Sequence, residues 1–282
     1  MKSIAKLADL VYKVDKKLYY QLRYFMCRHK FANFKKPTNL SEYLLAEMLK
    51  PEFKRFSKYA DKVAVQDYVR SKGLEHILPK CYGIWDNAKQ IDFDKLPSKF
   101  ALKTNHGCGN HIICRDKSQL NIKHVVENLN KTLSSVFSIR EPHYQYIAPK
   151  VYAEELIDDG TGRLPVDYKF MCVNGEPKCV LVCAERKNLR ELPSLYAFTT
   201  DWQPLDWIGK NLGREKLMPP PHWEKMVQIA KVLSKDFEFV RVDLYYSLNG
   251  ILFGELTFTP ASGLMGYFTE EALANMNPLK LE

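Results

Sequence analysis

Hydrophobic positions near the start of the chain recur at helical spacing. Ile4, Leu7, Val11, Val14 and Leu18 are separated by alternating steps of three and four. This predicts an amphipathic helix over residues 3–30, with Lys6, Lys13, Lys16 and Lys17 off the apolar stripe. The favoured reading packs the stripe on the body of the protein and leaves the lysines in water. The alternative is a basic helix that touches an anionic membrane surface or an acidic partner. Tyr19, Tyr20, Tyr24 and Phe25 follow as aromatic bulk expected to pack inside. A second helix is expected to start at Asn39, with Glu42 completing a capping box ahead of Tyr43, Leu44 and Leu45. A third covers about residues 60–72 and stops at Gly73.

Beyond residue 80 the pattern changes to short β-like runs separated by polar turns. Strands are expected at 82–85, 100–103, 112–114, 150–156, 166–173, 177–184, 195–200, 240–246 and 251–258. Helices are expected at 121–135, at 222–237 behind the Pro219-Pro220-Pro221 stop, and after Thr269. Strands predominate in the last two thirds with helices on one side, an α+β pattern.

Composition narrows the classes. The 282 residues are 46% hydrophobic and 27% charged, which excludes a disordered chain, a collagen-like repeat and a disulfide miniprotein. No apolar run reaches the ~18 residues of a membrane-spanning helix. The net charge of +9 lies entirely in residues 1–60, where 14 Lys/Arg face 5 Asp/Glu; the rest carries 28 of each sign. A nucleic-acid binder would spread basic residues along a groove, and the neutral body offers none. Seven cysteines, an odd number without a CxxC pair, fit free thiols in a reducing compartment. The N-terminus lacks the features of a secretory signal, so a cytoplasmic location is expected.

Two stretches carry chemistry. In Arg241–Phe258, a three-residue loop at Leu248-Asn249-Gly250 would set Ser247 opposite Ile251, Asp243 opposite Glu255 and Arg241 opposite Thr257. One face then carries Arg241, Asp243, Glu255 and Thr257; the other carries Val240, Val242, Leu244, Leu252, Leu256 and Phe258. Opposed carboxylates repel unless a cation lies between them. Oxygen ligands at that spacing suit Mg²⁺, which leaves positions for water and phosphate. The other reading is an ion-pair cluster in which Arg241 neutralises both acids. The second stretch is a strand ending in Lys103, a loop with Gly107 and Gly109, and another strand. Glycines admit phosphates close to backbone N–H groups and the lysine adds a point charge; an ordinary hairpin turn is the alternative. His106 and His111 on this loop leave a zinc pair open without further ligands. Asp167 and Lys169 share a face of the strand that follows the acidic turn after Glu154 and Glu155.

Taken together these runs resemble ATP-grasp proteins, and more closely the TupA-like branch associated with teichuronopeptide and other bacterial surface-polysaccharide synthesis. The runs are Asp61-Lys62-Val-Ala-Val, Leu96 to Gly109, Asp167-Tyr-Lys-Phe, Phe239 to Leu244 and Phe253 to Pro260, within about residues 60–270. The resemblance implies ATP held between two α+β lobes. It divides the chain into a basic helical extension (1–60), a part with the glycine loop (61–152) and a C-terminal lobe with hinge and metal hairpin (153–282). Lys62 and Lys103 would approach the phosphates, with His106, Gly107 and Gly109 on the loop that closes over them. Glu154, Glu155, Leu156 and Ile157 would line adenine. Asp167 would meet the ribose and Lys169 a phosphate. Asp243 and Glu255 would hold Mg²⁺ with Thr257, which stands where many members have asparagine. Cys108 stands where serine is frequent, and Ser262 and Gly263 would lie near the reacting carboxylate.

The activity so implied is an ATP-dependent carboxylate–amine ligase working through an acyl phosphate, with Arg241 stabilising developing charge. Its expected substrates are an amino acid or amine and a uronic-acid-type carboxylate of a capsule or lipopolysaccharide precursor. Arg186 and Arg190 are candidate clamps for an anionic substrate. A sugar kinase using the same ATP site and a polysaccharide glycosyltransferase are the alternatives. The basic residues 1–30 leave docking to a lipid-linked glycan, or to the inner face of the membrane, as an expectation.

Overall fold

Alternation at period two builds two antiparallel sheets, each with one oily face. The computed structural model describes residues 10–107, 111–134, 139–186, 191–214 and 216–280. Ile4, Leu7, Cys108, Gly109 and Arg190, named above, lie outside them. The first sheet has the order β1 (Cys81–Trp85), β4 (Val151–Glu154), β2 (Phe100–Thr104), β3 (Ile112–Cys114). Phe100, Leu102, Val151 and Ala153 turn one face onto Val125 and Leu129 of helix α5 (Ile122–Leu133). The alternate positions, including Lys103 and Glu154, turn to the other face. The expected division at 152/153 falls within β4, an inner strand of this sheet.

The second sheet has the order β7 (Ser194–Phe198), β6 (Glu176–Ala184), β5 (Asp167–Val173), β8 (Phe239–Ser247), β9 (Gly250–Thr257). Its rear face, with Phe170, Val180, Val242 and Leu256, packs on Trp223, Met226 and Leu233 of α6 (Trp223–Ser234). Half of the front face is apolar: Met171, Leu181 and Phe239 are covered by Leu44, Met265, Phe268 and Met276. The remaining front-face positions of β5, β8 and β9 include Asp167, Lys169, Arg241, Asp243, Tyr245, Glu255 and Thr257. One sheet face thus passes from sealed core to polar cleft. All cysteines among the described residues are free thiols, and Cys114, Cys172, Cys179 and Cys183 are buried.

Several local expectations are corrected. The β8–β9 turn has two residues, Leu248 and Asn249, because Ser247 pairs with Gly250 rather than with Ile251. A β-bulge next to Gly254 adds one residue to β9, so Asp243 still faces Glu255 and Arg241 still faces Thr257. A glycine is required there: a Cβ at 254 would lie 2.8 Å from the Tyr245 ring and 3.0 Å from the Asp243 carbonyl oxygen. Beyond the bulge Ile251 and Phe253 take the core face, and Leu252, expected there, does not join that cluster.

The second correction concerns the N-terminal helix. Helical residues 10–14 are followed by α1 (Lys16–Arg28), which Asp15 caps by accepting from the Leu18 N–H at 2.9 Å. The inward face is tyrosine: Tyr12, Tyr19, Tyr20 and Tyr24 are buried, and the first three meet edge to face at 5.3–6.2 Å. Val11 packs against this core, but Val14 and Leu18 of the expected inward stripe face solvent. Phe25, expected inside, is also exposed.

Asn39 caps α2 (Leu40–Met48) by accepting from the Glu42 N–H at 3.0 Å. Glu42 does not close a capping box; its carboxylate accepts from the backbone of Asn33 and Thr38 instead. The expected helix at 60–72 is split into α3 (Ser57–Ala60) and α4 (Val65–Ser71). The last helix, α7 (Glu270–Asn275), starts where expected, capped by Thr269.

Candidate active site

The bulged hairpin delivers Asp243 and Glu255 to the front face as a cross-strand pair. Arg241, two residues along β8, reaches both. Its Nε donates to Asp243 Oδ1 at 2.6 Å, and one terminal nitrogen donates to Asp243 Oδ2 at 2.7 Å and to Glu255 Oε1 at 2.8 Å. Two carboxylate oxygens from neighbouring strands therefore converge on a single point of positive charge. Thr257 donates its hydroxyl to Glu255 Oε1 at 2.9 Å. Lys169 on β5 reaches Asp243 Oδ2 at 2.6 Å and Asp167 Oδ2 at 3.5 Å, and Arg186 donates to the same Asp167 oxygen at 2.7 Å. Acids and bases alternate along one network, which relieves the repulsion that two opposed carboxylates would otherwise suffer.

Lys62 connects the lobes. Its backbone N–H donates to the Asn105 carbonyl, and its ammonium donates to the Gly107 carbonyl at 2.7 Å and lies 3.4 Å from Glu255 Oε2. Asn105, fully buried, fixes this loop by bonding Asp61, the Ala148 carbonyl and the Lys150 N–H. The His106 ring lies 3.4 Å from the Asn105 side-chain oxygen, and the His106 carbonyl accepts from Thr104. Lys103 forms an ion pair with Glu154 across β2 and β4. Glu155 accepts from Asn249 Nδ2 at 3.0 Å, while Leu248 donates to the Asp158 carbonyl at 2.9 Å. The tip of the carboxylate hairpin is thereby fastened to the segment that carries Glu155, Leu156 and Ile157.

The network thus unites Lys62, Gly107, Asp167, Lys169, Arg186, Arg241, Asp243, Glu255 and Thr257. Gly263 is on a turn packed against Leu45 and Met48 of α2, with the preceding Ser262 in left-handed backbone (φ 55°). Arg186 pairs with Asp167 and Lys169 with Asp243.

Two residues, Glu141 and Tyr245, escaped the sequence reading, and His111, considered there only as half of a zinc pair, joins the charges of the cleft. His111 lies close enough to Lys103, Lys62, Glu255 and Asp167 to feel their charges; burial and the two lysines push its pKa down to about 4, and its Nδ1 has no partner. Glu141 accepts from the Thr259 hydroxyl at 2.6 Å, and burial raises its pKa beside Glu255 and Arg241. Tyr245 extends the Asp243 face by one alternate position, which the strand period could have signalled; burial and the charges of Asp167 and Asp243 raise its pKa. Glu141 had no such signal, because a chain separation of more than 100 residues brings it to Thr259 and Glu255.

The charges are held unevenly. Burial raises the Asp243 carboxyl against the pull of Arg241 and Lys169. Burial opposes ionisation of Glu255 too, yet Lys62 and Arg241 hold it well below the ordinary glutamate value. Burial likewise opposes the charge on Lys169, but Asp167 and Asp243 keep it cationic.

Hard carboxylate oxygens converging on one point are suitable donors for Mg²⁺, an ion that takes only one or two protein carboxylates and completes its shell with water and phosphate. Among the described residues no cluster of three or more His, Cys, Asp and Glu side chains forms a closed metal cage. The donor set thus fits a cation shared with a phosphate-bearing ligand, not a structural zinc, and the His106/His111 zinc reading gains no further ligand.

Comparison with known proteins adds independent findings. The sequence profile of the family described as TupA-like ATPgrasp matches residues 42–275. An L-amino acid ligase from Bacillus licheniformis superposes with a TM-score of 0.50 at 12% identity, over 90% of this chain and 57% of that one. A D-alanine–D-alanine ligase from Bacillus anthracis, complexed with ATP, gives a TM-score of 0.49 at 14% identity, over 77% of this chain and 60% of that one. The match spans about 60% of the length of that ligase, and at these identities the likeness is one of fold. No curated protein matches this chain.

Proposed function

The chain belongs to the TupA-like ATP-grasp family and has an α+β ATP-grasp fold, and from this premise we propose that it is an ATP-dependent carboxylate–amine ligase. The observation that carries the proposal is the convergence of Asp243 and Glu255 on one nitrogen of Arg241, with Lys62 joining Glu255 to the glycine loop. In this reading ATP lies between the two sheets. Glu154, Glu155, Leu156 and Ile157 border adenine, Asp167 accepts from the ribose hydroxyls, and Lys62, Lys103 and Lys169 face the phosphates, with His106 and Gly107 on the covering loop. Asp243 and Glu255, with Thr257 beside them, would hold Mg²⁺, which would supply neutralisation of the phosphoryl charge.

The chain's own part is positioning and electrostatics. A substrate carboxylate oxygen bonds to the γ-phosphorus as the bond to the β–γ bridging oxygen breaks and ADP leaves. An amine nitrogen then attacks the acyl carbon, phosphate departs and the amine loses its proton. Arg241, held by the two acids, stabilises negative charge on the transferring group. Arg186 and Ser262 are assigned to the substrate carboxylate end.

We assign the substrates by class: an amino acid or amine, and a uronic-acid-type carboxylate on a capsule or lipopolysaccharide precursor, free or lipid-linked, used in the cytoplasm. The test is ADP release with Mg²⁺ and hydroxylamine across uronic-acid conjugates. A hydroxamate of the sugar acid is the expected product. A stable phosphosugar without hydroxamate would assign the site to a kinase and overturn the ligase reading.

A further inference from the structure

We propose that α1 and its flanks form a docking surface for an anionic membrane. The surface departs from what its sequence leads one to expect, since its aliphatic residues face outward. Leu10, Val14, Leu18, Leu22 and Met26 recur every fourth residue, and all are exposed: Val14 by 80%, Leu18 by 48% and Met26 by 77%. On α1 that spacing draws Leu18, Leu22 and Met26 into one narrow stripe along the axis, while Leu10 and Val14 are on the helical turn before Asp15, whose extended backbone (φ −147°) separates it from α1. Phe25 lies on the same face and stacks at 5.2 Å on Phe31, itself 70% exposed, which widens the stripe at its C-terminal end. Tyr12, Tyr19, Tyr20 and Tyr24 already occupy the inward side, so the outward residues are not required to hold the helix in place.

Contiguous exposed apolar surface rimmed by charge marks an interaction site, since scattered surface hydrophobics do not line up on one face. The flanking segments of the chain are basic. Lys13, Lys16 and Lys17 lie at the N-terminal end and Lys35 and Lys36 beyond Phe31, all exposed. Residues 1–60 hold the whole net charge of +9. An apolar stripe with exposed lysines on its flanking segments is complementary to a bilayer that carries anionic headgroups, with the stripe entering the acyl boundary and the lysines remaining at headgroup level. The family match begins at residue 42, so this surface lies outside the part shared with the family. No helix among the described residues is long and apolar enough to cross a membrane, and the stripe is suited to lying in the interface plane.

The test is co-sedimentation of the full chain with vesicles of phosphatidylcholine alone or mixed with phosphatidylglycerol. Binding to the mixed vesicles, absent for phosphatidylcholine and weakened by salt, is expected. Leu18→Glu/Met26→Glu changes two solvent-facing positions, so its thermal melt should match that of the unaltered chain while its bound fraction falls about tenfold. Lys35→Glu/Lys36→Glu should weaken binding and flatten its salt dependence. Equal binding to both vesicle types, or full binding by Leu18→Glu/Met26→Glu, would overturn the proposal. So would a concentration-dependent dimer that the same variant abolishes in a chain that ignores vesicles, which would give the stripe to a second copy. Vesicle binding is read without turnover, so its outcome is separate from that of the ligase reading.

Discussion

Replacing Arg241 with methionine keeps the length of the side chain and removes the charge on which the two acids converge. The Arg241 side chain is about one-tenth exposed and makes three charge-assisted bonds of 2.6–2.8 Å. Removing one member of a buried ion pair typically costs about 3–5 kcal/mol, because the other charge is left behind. Asp243 keeps Lys169 at 2.6 Å and Glu255 keeps Lys62 at 3.4 Å, which sets the expectation at the lower end, about 3 kcal/mol. Mg²⁺ bound by the freed carboxylates should return part of the loss, about 2.7 kcal/mol at a concentration a hundredfold above its Kd. Urea unfolding followed by tryptophan fluorescence reads this directly, since Trp202 and Trp223 meet edge to face at 4.6 Å in the core. Arg241→Met should unfold at lower urea in EDTA, and Mg²⁺ should close most of the gap. A loss below about 1 kcal/mol, or a loss that Mg²⁺ leaves untouched, would refute the reasoning.

Gly254→Ala drives a Cβ into the Asp243 carbonyl and the Tyr245 ring, so about 1–3 kcal/mol of stability should be lost; an unchanged urea midpoint would show that the bulge has room. His143 is buried against Phe53 and Tyr144 with neither ring nitrogen partnered, and burial lowers its pKa to about 3. The unfolded chain then binds a proton that the native chain refuses. Stability present above pH 6.5 should therefore fall as pH drops, by about 2 kcal/mol at pH 5 from this group. His143→Phe should flatten that slope, and an unchanged slope would clear His143 of it. Lys62→Met should raise the KM for ATP about tenfold through loss of a charge-assisted phosphate contact; an unchanged KM would remove Lys62 from the nucleotide site.

The carboxylate pair was legible because strand period and a hairpin signal act over few residues. The expected three-residue loop and the observed two-residue turn with a bulge both offset one strand by one residue, so the Asp243/Glu255 pairing is the same in each. The bulge had a visible sign in Gly254, a glycine inside an otherwise well-packed strand. Which face of α1 turns inward was not legible, because an aliphatic stripe and a tyrosine stripe compete on the same helix. Edge-to-face packing among Tyr12, Tyr19 and Tyr20 decided it, together with a core whose other members lie far along the chain. His111 and Glu141 reach the cleft through loops, where no periodicity marks direction. The ion pairs of Lys103 with Glu154 and of Arg186 with Asp167 are likewise tertiary, and they turn side chains expected to meet ligand towards each other.

Equilibrium binding of ATP with and without Mg²⁺, on the unaltered chain and on Asp243→Asn, tests the central claim most directly. Mg²⁺ should tighten ATP binding by about tenfold or more in the unaltered chain, through shared ligation by the hairpin carboxylates and phosphate. Asp243→Asn should abolish that gain while retaining a cooperative unfolding transition. ATP binding indifferent to Mg²⁺, or Asp243→Asn binding Mg²⁺ and ATP as tightly as the unaltered chain, would contradict the account.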